Sequence, residues 1–304
     1  MPDIVAIGEP LFELNQGRGE SVFRQGHGGD SSNCAIAAAR QGASVGYVTA
    51  IGGDQFGESF LKLWAEEGVD TSAVKRSGTA HTGLYFVTHG PDGHVFSYMR
   101  AGSAASRMTA DDIPAEMIRD ARVLHASGIS QAISSNAADA VFAAMRIARG
   151  AGVTVSYDTN LRLRLWPLDR ARAVIHAAAG LVDILRPGLD DAIHLTGLAD
   201  PDRIVDFYLG LGPKIVARTL GSDGALIATE DRRERLAPYP AKLVDATGAG
   251  DTFDGAFLAE YLRTGDPFAA GMYANVAAAL STTGYGAVSP IPRRDAVLAA
   301  LGRQ

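Results

Sequence analysis

Short apolar runs that predict buried strands alternate with helical segments along most of this chain. The predicted strands cover Ile4–Gly8, Ser44–Ile51, Val123–Ser127, Thr154–Tyr157, Leu181–Leu185, Lys214–Thr219 and Ala225–Ala228. The predicted helices cover Ser32–Gln41, Phe56–Glu67, Asn136–Arg149, Leu168–Ala178, Pro201–Leu211, Thr252–Arg263 and Phe268–Leu280. Because strand-then-helix repetition builds βαβ units, the pattern predicts an α/β fold whose mostly parallel central sheet is flanked by helices. Ligands of such sheets bind at the carboxyl ends of the strands.

Two stretches interrupt this alternation with partly polar, strand-like patterns and no intervening helix, at residues 11–25 and 82–100. The Gly90-Pro91-Asp92-Gly93 block in the second stretch is typical of a hairpin turn. We expect both stretches to form one small antiparallel sheet that covers the main sheet as a lid. Because no linker divides the chain, residues 1–304 are predicted to form a single domain. The exposed edges of a lid make a homo-oligomer through it a candidate arrangement.

The charge balance narrows the set of partners. The 304 residues include 28 Lys and Arg against 34 Asp and Glu, a formal net charge of −6, which argues against broad binding to nucleic acid or membrane. The start of the chain lacks the basic region of a signal peptide, and the apolar part of the uncharged stretch from Pro267 to Pro292 is too short to span a bilayer. A single cysteine cannot form an internal disulfide, so the sequence predicts a cytoplasmic protein.

The segment Asp245-Ala246-Thr247-Gly248-Ala249-Gly250-Asp251-Thr252 carries the clearest chemistry. Small residues at 248–250 leave successive backbone N–H groups bare at a helix N-terminus, where the helix dipole also favours negative charge. Such a site can stabilise a phosphoryl group during transfer, and Asp251 beside it can accept a proton from an attacking hydroxyl. In the alternative interpretation Asp251 is an ordinary first-turn residue and the glycines form a tight turn.

This segment resembles the C-terminal signature of the ribokinase (PfkB) family of carbohydrate kinases. Gly28-Gly29-Asp30-Ser31-Ser32-Asn33-Cys34-Ala35 resembles the N-terminal signature, with Gly42 and Gly52 at the spacing of the family. The resemblance extends from Ile4 to about Arg294. It implies a three-layer ribokinase-like fold with a β-sheet lid, and ATP-dependent phosphorylation of a sugar hydroxyl with Mg²⁺ as cofactor. It also implies catalytic roles for Gly248, Ala249, Gly250 and Asp251. Asp251 would be the base, and the N–H groups of Ala249, Gly250 and Asp251 would form the anion hole.

Other stretches most resemble 2-keto-3-deoxygluconate kinases within the family. That resemblance implies a substrate pocket formed by Gly29, Asn33, Tyr85, Tyr98, Arg100, Arg162 and Asp251. Arginine suits a sugar acid because its planar donors can grip a carboxylate in a bidentate manner, and a lid tyrosine offers a flat apolar wall. Two alternatives remain open: a fructokinase-like or ribokinase-like enzyme for a neutral sugar, and a catalytically inactive sugar-binding regulator.

The same resemblance implies a nucleotide side to the site. Its residues are Asn160, Thr219, Gly221, Gly224, Gly248, Gly250 and Asn275. Two residues depart from the pattern of the family at positions that bear on binding of Mg²⁺ and of a monovalent cation. Gly188 replaces the usual polar residue near the nucleotide loop, although Asp191 keeps a carboxylate that can hold a magnesium-bound water. Ala246 replaces the usual Thr, so the presence of a monovalent-cation site remains open.

Overall fold

The computed structural model describes residues 1–16, 21–90 and 93–302. Its strands are β1 (Ile4–Ile7), β2 (Leu11–Gln16), β3 (Phe23–Gly28), β4 (Val45–Gly52), β5 (Val69–Asp70), β6 (Val74–Ser77), β7 (Leu84–Gly90), β8 (Gly93–Met99), β9 (Val123–Ser127), β10 (Thr154–Asp158), β11 (Ile184–Arg186), β12 (Ile215–Thr219), β13 (Ala225–Ala228) and β14 (Arg233–Leu236). Its helices are α1 (Asp30–Arg40), α2 (Gln55–Glu66), α3 (Ala115–Arg119), α4 (Gly128–Ala132), α5 (Ser135–Gly150), α6 (Leu168–Ala179), α7 (Leu189–Thr196), α8 (Pro201–Leu209), α9 (Ala249–Thr264), α10 (Pro267–Ser281) and α11 (Arg294–Ala300). No helix among these residues is long and apolar enough to cross a membrane.

Ten strands of the described chain form one large sheet in the order β14-β13-β12-β11-β10-β9-β1-β4-β5, with β6 also paired to β4. In this spatial order, neighbouring strands from β12 through β11, β10, β9, β1 and β4 to β5 pair in parallel. At the other end of the sheet β12, β13 and β14 pair antiparallel. The predicted mostly parallel central sheet is confirmed.

Alternating side chains of the central strands supply two apolar layers. In β1, Val5 and Ile7 join a core cluster with α5, α6, α7 and α8, whereas Ile4 and Ala6 join a second cluster with α1, α2, α9 and α10. All four residues of this strand are buried, which is why its sequence is a continuous apolar run. Helices therefore cover both faces, and the predicted three-layer fold is confirmed.

A separate four-stranded sheet has the order β3-β2-β7-β8. Strands β2, β7 and β8 fall within the predicted lid stretches, whereas β3 extends beyond the first stretch to Gly28. β7 and β8 pair antiparallel up to Gly90 and Gly93. Pro91 and Asp92 of the predicted turn, and residues 17–20, lie outside the described residues. The expectation of a fully antiparallel lid is wrong, because β2 and β7 pair in parallel. Both strands leave the large sheet in the same direction, since β2 follows β1 and β7 follows β6, which are parallel members of that sheet.

Helices α1 and α9 pack closely at one glycine, and this contact positions the site described below. A Cβ on Gly255 would lie 2.4 Å from the carbonyl oxygen of Cys34 and 2.6 Å from the Cβ of Ala37. Only glycine therefore permits this separation of the two helices.

We expect Gly255→Ala to reduce the free energy of unfolding by about 1–3 kcal/mol, because the added methyl group overpacks the contact between α1 and α9. Urea unfolding measures this change. The matched control is Gly150→Ala at the exposed end of α5, where a Cβ meets nothing within 4 Å. Equal stability of the two variants would contradict the packing argument.

Candidate active site

A cleft of about 720 Å³ lies at the carboxyl edge of the large sheet and is bordered by lid residues. Strands β1, β10 and β11 place Glu9, Asn160 and Arg186 in it, because each residue stands at the carboxyl end of its strand or two positions beyond it. The N-termini of α1 and α9 contribute Asp30 and Asp251. Such edges are where open α/β sheets bind their ligands, so the topology itself points to this cleft.

Asp251 lies in the first turn of α9, and its Oδ2 accepts a 2.8 Å hydrogen bond from Asn33 Nδ2. Burial raises the pKa of Asp251 to about 7, and the nearby Asp30 carboxylate adds to the rise. A carboxyl group with a pKa near neutrality is well suited to accept a proton from a reacting hydroxyl. The surroundings of Asp251 therefore suit a general base.

A buried ion cluster centred on Arg186 lies beside this base. Its Nε is 2.7 Å from Asp254 Oδ1, and its Nη2 pairs with Asp158 Oδ2. Burial raises the pKa of Asp158 to about 6 and raises the pKa of Asp254 well above its usual range, while Arg186 opposes both rises. The guanidinium thus offsets part of the cost of burying two carboxylates next to Asp251.

Gly248 precedes α9 with a left-handed backbone, at φ 76°, and turns the chain into the helix. The N–H group of Ala249 donates to Ala246 O at 3.2 Å, so it already has a partner, and Ala249 does not line the cleft. The predicted anion hole of three residues is therefore reduced to Gly250 and Asp251, whose N–H groups precede the acceptors of their own helix. A Cβ on Gly250 would lie 3.1 Å from Arg186 Nη2, which places the cation directly beside these two groups.

Two tyrosines of the lid border the cleft. Tyr85 and Tyr98 are cross-strand partners in β7 and β8, and their stacked rings have centroids 5.8 Å apart. Tyr85 is buried and its hydroxyl donates to the Glu13 carboxylate, whereas Tyr98 is 44% exposed. Because the Tyr85 hydroxyl is already satisfied, that residue offers a ligand chiefly an apolar surface.

Arg100, which follows β8, is tied to a buried carboxylate. Its Nε donates to Glu9 Oε2 at 2.8 Å and its Nη2 donates to the same oxygen. Glu9 is 1% exposed, and burial raises its pKa, although Arg100 and a hydrogen bond from Ser103 oppose the rise. Arg100 therefore serves as a counter-ion, a task that the sequence did not reveal.

The loop after β10 brings two further arginines to the cleft. Arg162 Nη1 donates to Leu161 O at 2.8 Å, and Arg164 Nη1 donates to Phe96 O of the lid at 3.4 Å. Neither forms an ion pair with a carboxylate of the described residues. Arg162 is one of the residues predicted from the sequence and Arg164 is not, although the repeat Leu161-Arg162-Leu163-Arg164 places both on the same loop.

Asp191 borders the cleft from the first turn of α7, a helix that the sequence analysis did not predict. Its Oδ2 accepts a hydrogen bond from the Leu161 N–H group at 2.9 Å, and burial raises its pKa. No group of three or more His, Cys, Asp or Glu side chains in the described ranges is placed to hold a metal ion. A single carboxylate fits Mg²⁺ that arrives with nucleotide phosphates and keeps most of its waters.

The predicted nucleotide residues are divided between the cleft and its surroundings. Asn160 lines the cleft with a positive φ of 29°, and its Nδ2 donates to Asp30 Oδ2 at 2.9 Å. Thr219 accepts a 3.4 Å hydrogen bond from Arg186 Nη1. Gly221 begins a short 3₁₀ turn between β12 and β13, and Gly224 ends it, at the same edge of the sheet.

Asn275 lies in a separate groove of about 700 Å³ between α10 and the segment that follows β14. Its Nδ2 donates to Ala237 O at 2.8 Å. The structure does not bring Asn275 into the central cleft.

The predicted residues that share the cleft are Gly29, Asn33, Tyr85, Tyr98, Arg100, Asn160, Arg162, Asp191, Gly248, Gly250 and Asp251. Those outside its lining are Ala249, Thr219, Gly221, Gly224 and Asn275. Charged residues that the sequence analysis did not select also reach it, namely Glu9, Asp30, Arg164 and Arg186.

A carboxyl group beside a helix N-terminus, in a cleft at the carboxyl edge of an α/β sheet, is an arrangement that suits phosphoryl transfer. Residues 1–294 match the model of the pfkB family carbohydrate kinases, so the chain belongs to that family. The predicted membership and the predicted enzyme class are thereby confirmed.

The chain is similar to proteins that carry two different kinase names, 2-dehydro-3-deoxygluconokinase and fructokinase. The chain is 34% identical to a 2-dehydro-3-deoxygluconokinase of Bacillus subtilis (strain 168), over 99% of this chain and 96% of that protein. It is 33% identical to Fructokinase-1 of Zea mays, over 97% of this chain and 96% of that protein. A putative ribokinase II of E. coli, solved in complex with ATP and Mg²⁺, superposes with a TM-score of 0.93 at 26% identity, with complete coverage (100%) of both chains.

Proposed function

We propose that this protein is an ATP-dependent kinase of a 2-keto-3-deoxy sugar acid, with 2-keto-3-deoxygluconate as the substrate. The observation that carries the proposal is the pair Arg162 and Arg164, two cleft arginines whose side chains donate only to main-chain carbonyls in the described chain. Their remaining donors can hold a carboxylate. The name of the Bacillus relative is consistent with this assignment.

In the proposed reaction the terminal hydroxyl of the acid lies at Asp251, which takes its proton as the oxygen attacks the γ-phosphoryl group of ATP. The bond from the γ-phosphorus to the bridging oxygen breaks, and ADP leaves. The N–H groups of Gly250 and Asp251 hold the transferring group, and Arg186 beside them adds positive charge. Mg²⁺, bound with the nucleotide and near Asp191, would neutralise phosphate charge. Thr219, Gly221, Gly224 and Asn275 remain proposed nucleotide contacts.

A neutral sugar is the second candidate substrate, because the maize relative is a fructokinase of nearly equal identity. Arg162 discriminates between the two candidates, since a neutral sugar offers it no carboxylate. Arg100→Ala is a poorer test, because it would also leave Glu9 buried without its counter-ion.

The experiment is a coupled ADP-release assay with 2-keto-3-deoxygluconate, fructose and ribose, on the wild type and Arg162→Ala. We expect turnover of the acid, and a KM for it that rises roughly 10- to 100-fold in the variant, as the loss of a charged hydrogen bond implies. The control is Arg203→Ala, an exposed arginine of α8.

Turnover of fructose with an unchanged KM in Arg162→Ala would favour the neutral-sugar alternative. Absence of ADP with every sugar tested would favour the inactive regulator.

A cytoplasmic setting is also proposed, supported by the one cysteine, Cys34, which is buried and free. A homo-oligomer through the lid is proposed because β3 and β8 are the end strands of the described lid sheet.

A further inference from the structure

The turn that leads into α9 packs against residues 282–293, the segment that joins α10 to α11. Ala287 of this segment is buried and lines the cleft. A Cβ on Gly248 would lie 2.9 Å from Ala287 O and 3.1 Å from Ala287 Cα. The position of Ala287 therefore limits where Gly248 can lie, and Gly248 leads into Gly250 and Asp251.

One guanidinium group binds the main chain of this segment. Arg40, the last residue of α1, donates from Nη1 to Val288 O at 2.9 Å and to Ile291 O at 2.7 Å. The same nitrogen donates to Ser289 O at 3.4 Å. These hydrogen bonds fix the carbonyl groups that directly follow Ala287.

Arg40 is itself held in place by a carboxylate. Its Nε and Nη2 donate to Glu67, the residue that follows α2, at 3.0 and 2.7 Å, which forms a bidentate ion pair. The side chains of Arg40 and Glu67 are 11% and 8% exposed, and the hydrogen bonds from Arg40 hold the pKa of Glu67 below its usual range. Because the guanidinium is planar and is bound through two of its nitrogens, its third nitrogen points in a fixed direction.

Helix α1 therefore supports the N-terminus of α9 from both of its own ends. Asn33, in the first turn of α1, donates to Asp251. Arg40, at the opposite end, holds the segment against which Gly248 packs. Loss of Arg40 would leave the first of these contacts in place and release the second.

We propose that Arg40 is a positioning residue for phosphoryl transfer, which holds Ala287 against Gly248 and so fixes the direction of the N–H groups of Gly250 and Asp251. Arg40 does not line the cleft and acts only through the segment. The inference rests on the proposed reaction at the N-terminus of α9, but not on which sugar is phosphorylated. Because donors aimed at the transferring group act mainly in the transition state, their misplacement should lower kcat more than it weakens binding.

The test is the steady-state kinetics of Arg40→Met, which keeps an unbranched apolar side chain and removes every donor, with the sugar that the wild type phosphorylates. We expect kcat to fall about 10- to 100-fold, as a small displacement of catalytic groups implies. The KM for the sugar should stay within about twofold, because an interaction made only in the transition state does not contribute to it. Arg40→Lys keeps the charge but cannot bind Glu67 in a bidentate manner, so its loss of kcat should be smaller.

The matched control is Arg149→Met. Arg149 Nη1 also donates to a main-chain carbonyl, Leu181 O at 3.2 Å, but it belongs to α5, on the other face of the large sheet. This variant should keep the kcat of the wild type.

A double-mutant cycle with Ala287→Gly separates positioning from a general loss of structure. Ala287→Gly loosens the same contact, since the Ala287 Cβ would lie 3.2 Å from a Cβ on Gly248. If Arg40 acts through this contact, the loss of kcat in the double variant should be smaller than the product of the two single losses. Should Arg40→Met fail to fold, the same cycle with Arg40→Lys decides. An unchanged kcat in the folded Arg40 variant, or losses that multiply, would overturn the inference.

Failure of the proposed function has a different signature. Absence of ADP from the wild type with every sugar would overturn the proposed reaction and this inference together. If the wild type phosphorylates fructose and not the acid, only the substrate assignment is wrong, and the cycle is measured with fructose. An active wild type whose kcat equals that of Arg40→Met overturns the inference alone.

Discussion

Asp251→Asn is expected to lower kcat by about 100- to 10,000-fold, the range typical for loss of a positioned general base. The amide keeps the size of the carboxylate and can still accept the hydrogen bond from Asn33, so the N-terminus of α9 should stay in place. The KM for ATP should therefore change little. Steady-state kinetics with saturating sugar, together with nucleotide binding by calorimetry, separates these two effects.

The pH dependence gives an independent check of the same assignment. Because the pKa of Asp251 is raised to about 7, mainly by burial and then by Asp30, the base is increasingly protonated below that pH. In the wild type kcat/KM should fall about tenfold per pH unit on the acid side. This limb should be absent from the residual activity of Asp251→Asn and unchanged in the control Asp139→Asn, which alters an exposed carboxylate of α5. A variant with a near-wild-type rate would remove Asp251 from the role of base.

The spacing of apolar residues was sufficient to predict the layered fold. Buried parallel strands such as β1 are continuous apolar runs, and the helices between them are long and amphipathic. The spacing failed where short elements carry few periodic residues. The helix α7 was not predicted, because it is short, follows Pro187-Gly188 and begins with two exposed residues, Leu189 and Asp190. The direction of β7 against β2 was missed because strand pairing depends on how distant segments leave the large sheet, which no local pattern encodes.

The residues of the candidate site that lie in recognisable sequence motifs could be predicted. The segment around Asp251 and the segment around Asn33 were both found, and the structure joins them through one hydrogen bond. The partners of charged residues could not be found, because an ion pair such as Arg100 with Glu9 joins residues 91 positions apart. Arg186 was not predicted as a site residue, because a single arginine at the end of a strand carries no sequence pattern that indicates its burial.

Arg186→Met is expected to reduce the free energy of unfolding by about 3–5 kcal/mol at neutral pH, because it leaves buried carboxylates without their counter-ion. The two affected side chains are Asp158 and Asp254, both in direct contact with the guanidinium. Urea unfolding measures the loss, with Arg203→Ala as the exposed control. A double variant, Arg186→Met with Asp254→Asn, should recover part of the loss by removing one of the stranded charges.

The pH dependence of that loss distinguishes charge from packing. Burial raises the pKa of Asp158 in the folded state to about 6. The folded protein therefore binds this proton more tightly than the unfolded chain does. Protonation of Asp158 stabilises the fold at low pH, and this stabilisation is lost as the pH rises through about 6. Without Arg186, which opposes this rise, the penalty above pH 6 should grow. The difference in stability between wild type and Arg186→Met should therefore shrink as the pH falls from about 7 toward 4, when both carboxyl groups can be neutral. A loss that stays constant over this range would mean that the arginine acts by packing alone, and that the cluster beside Asp251 does not depend on its charge.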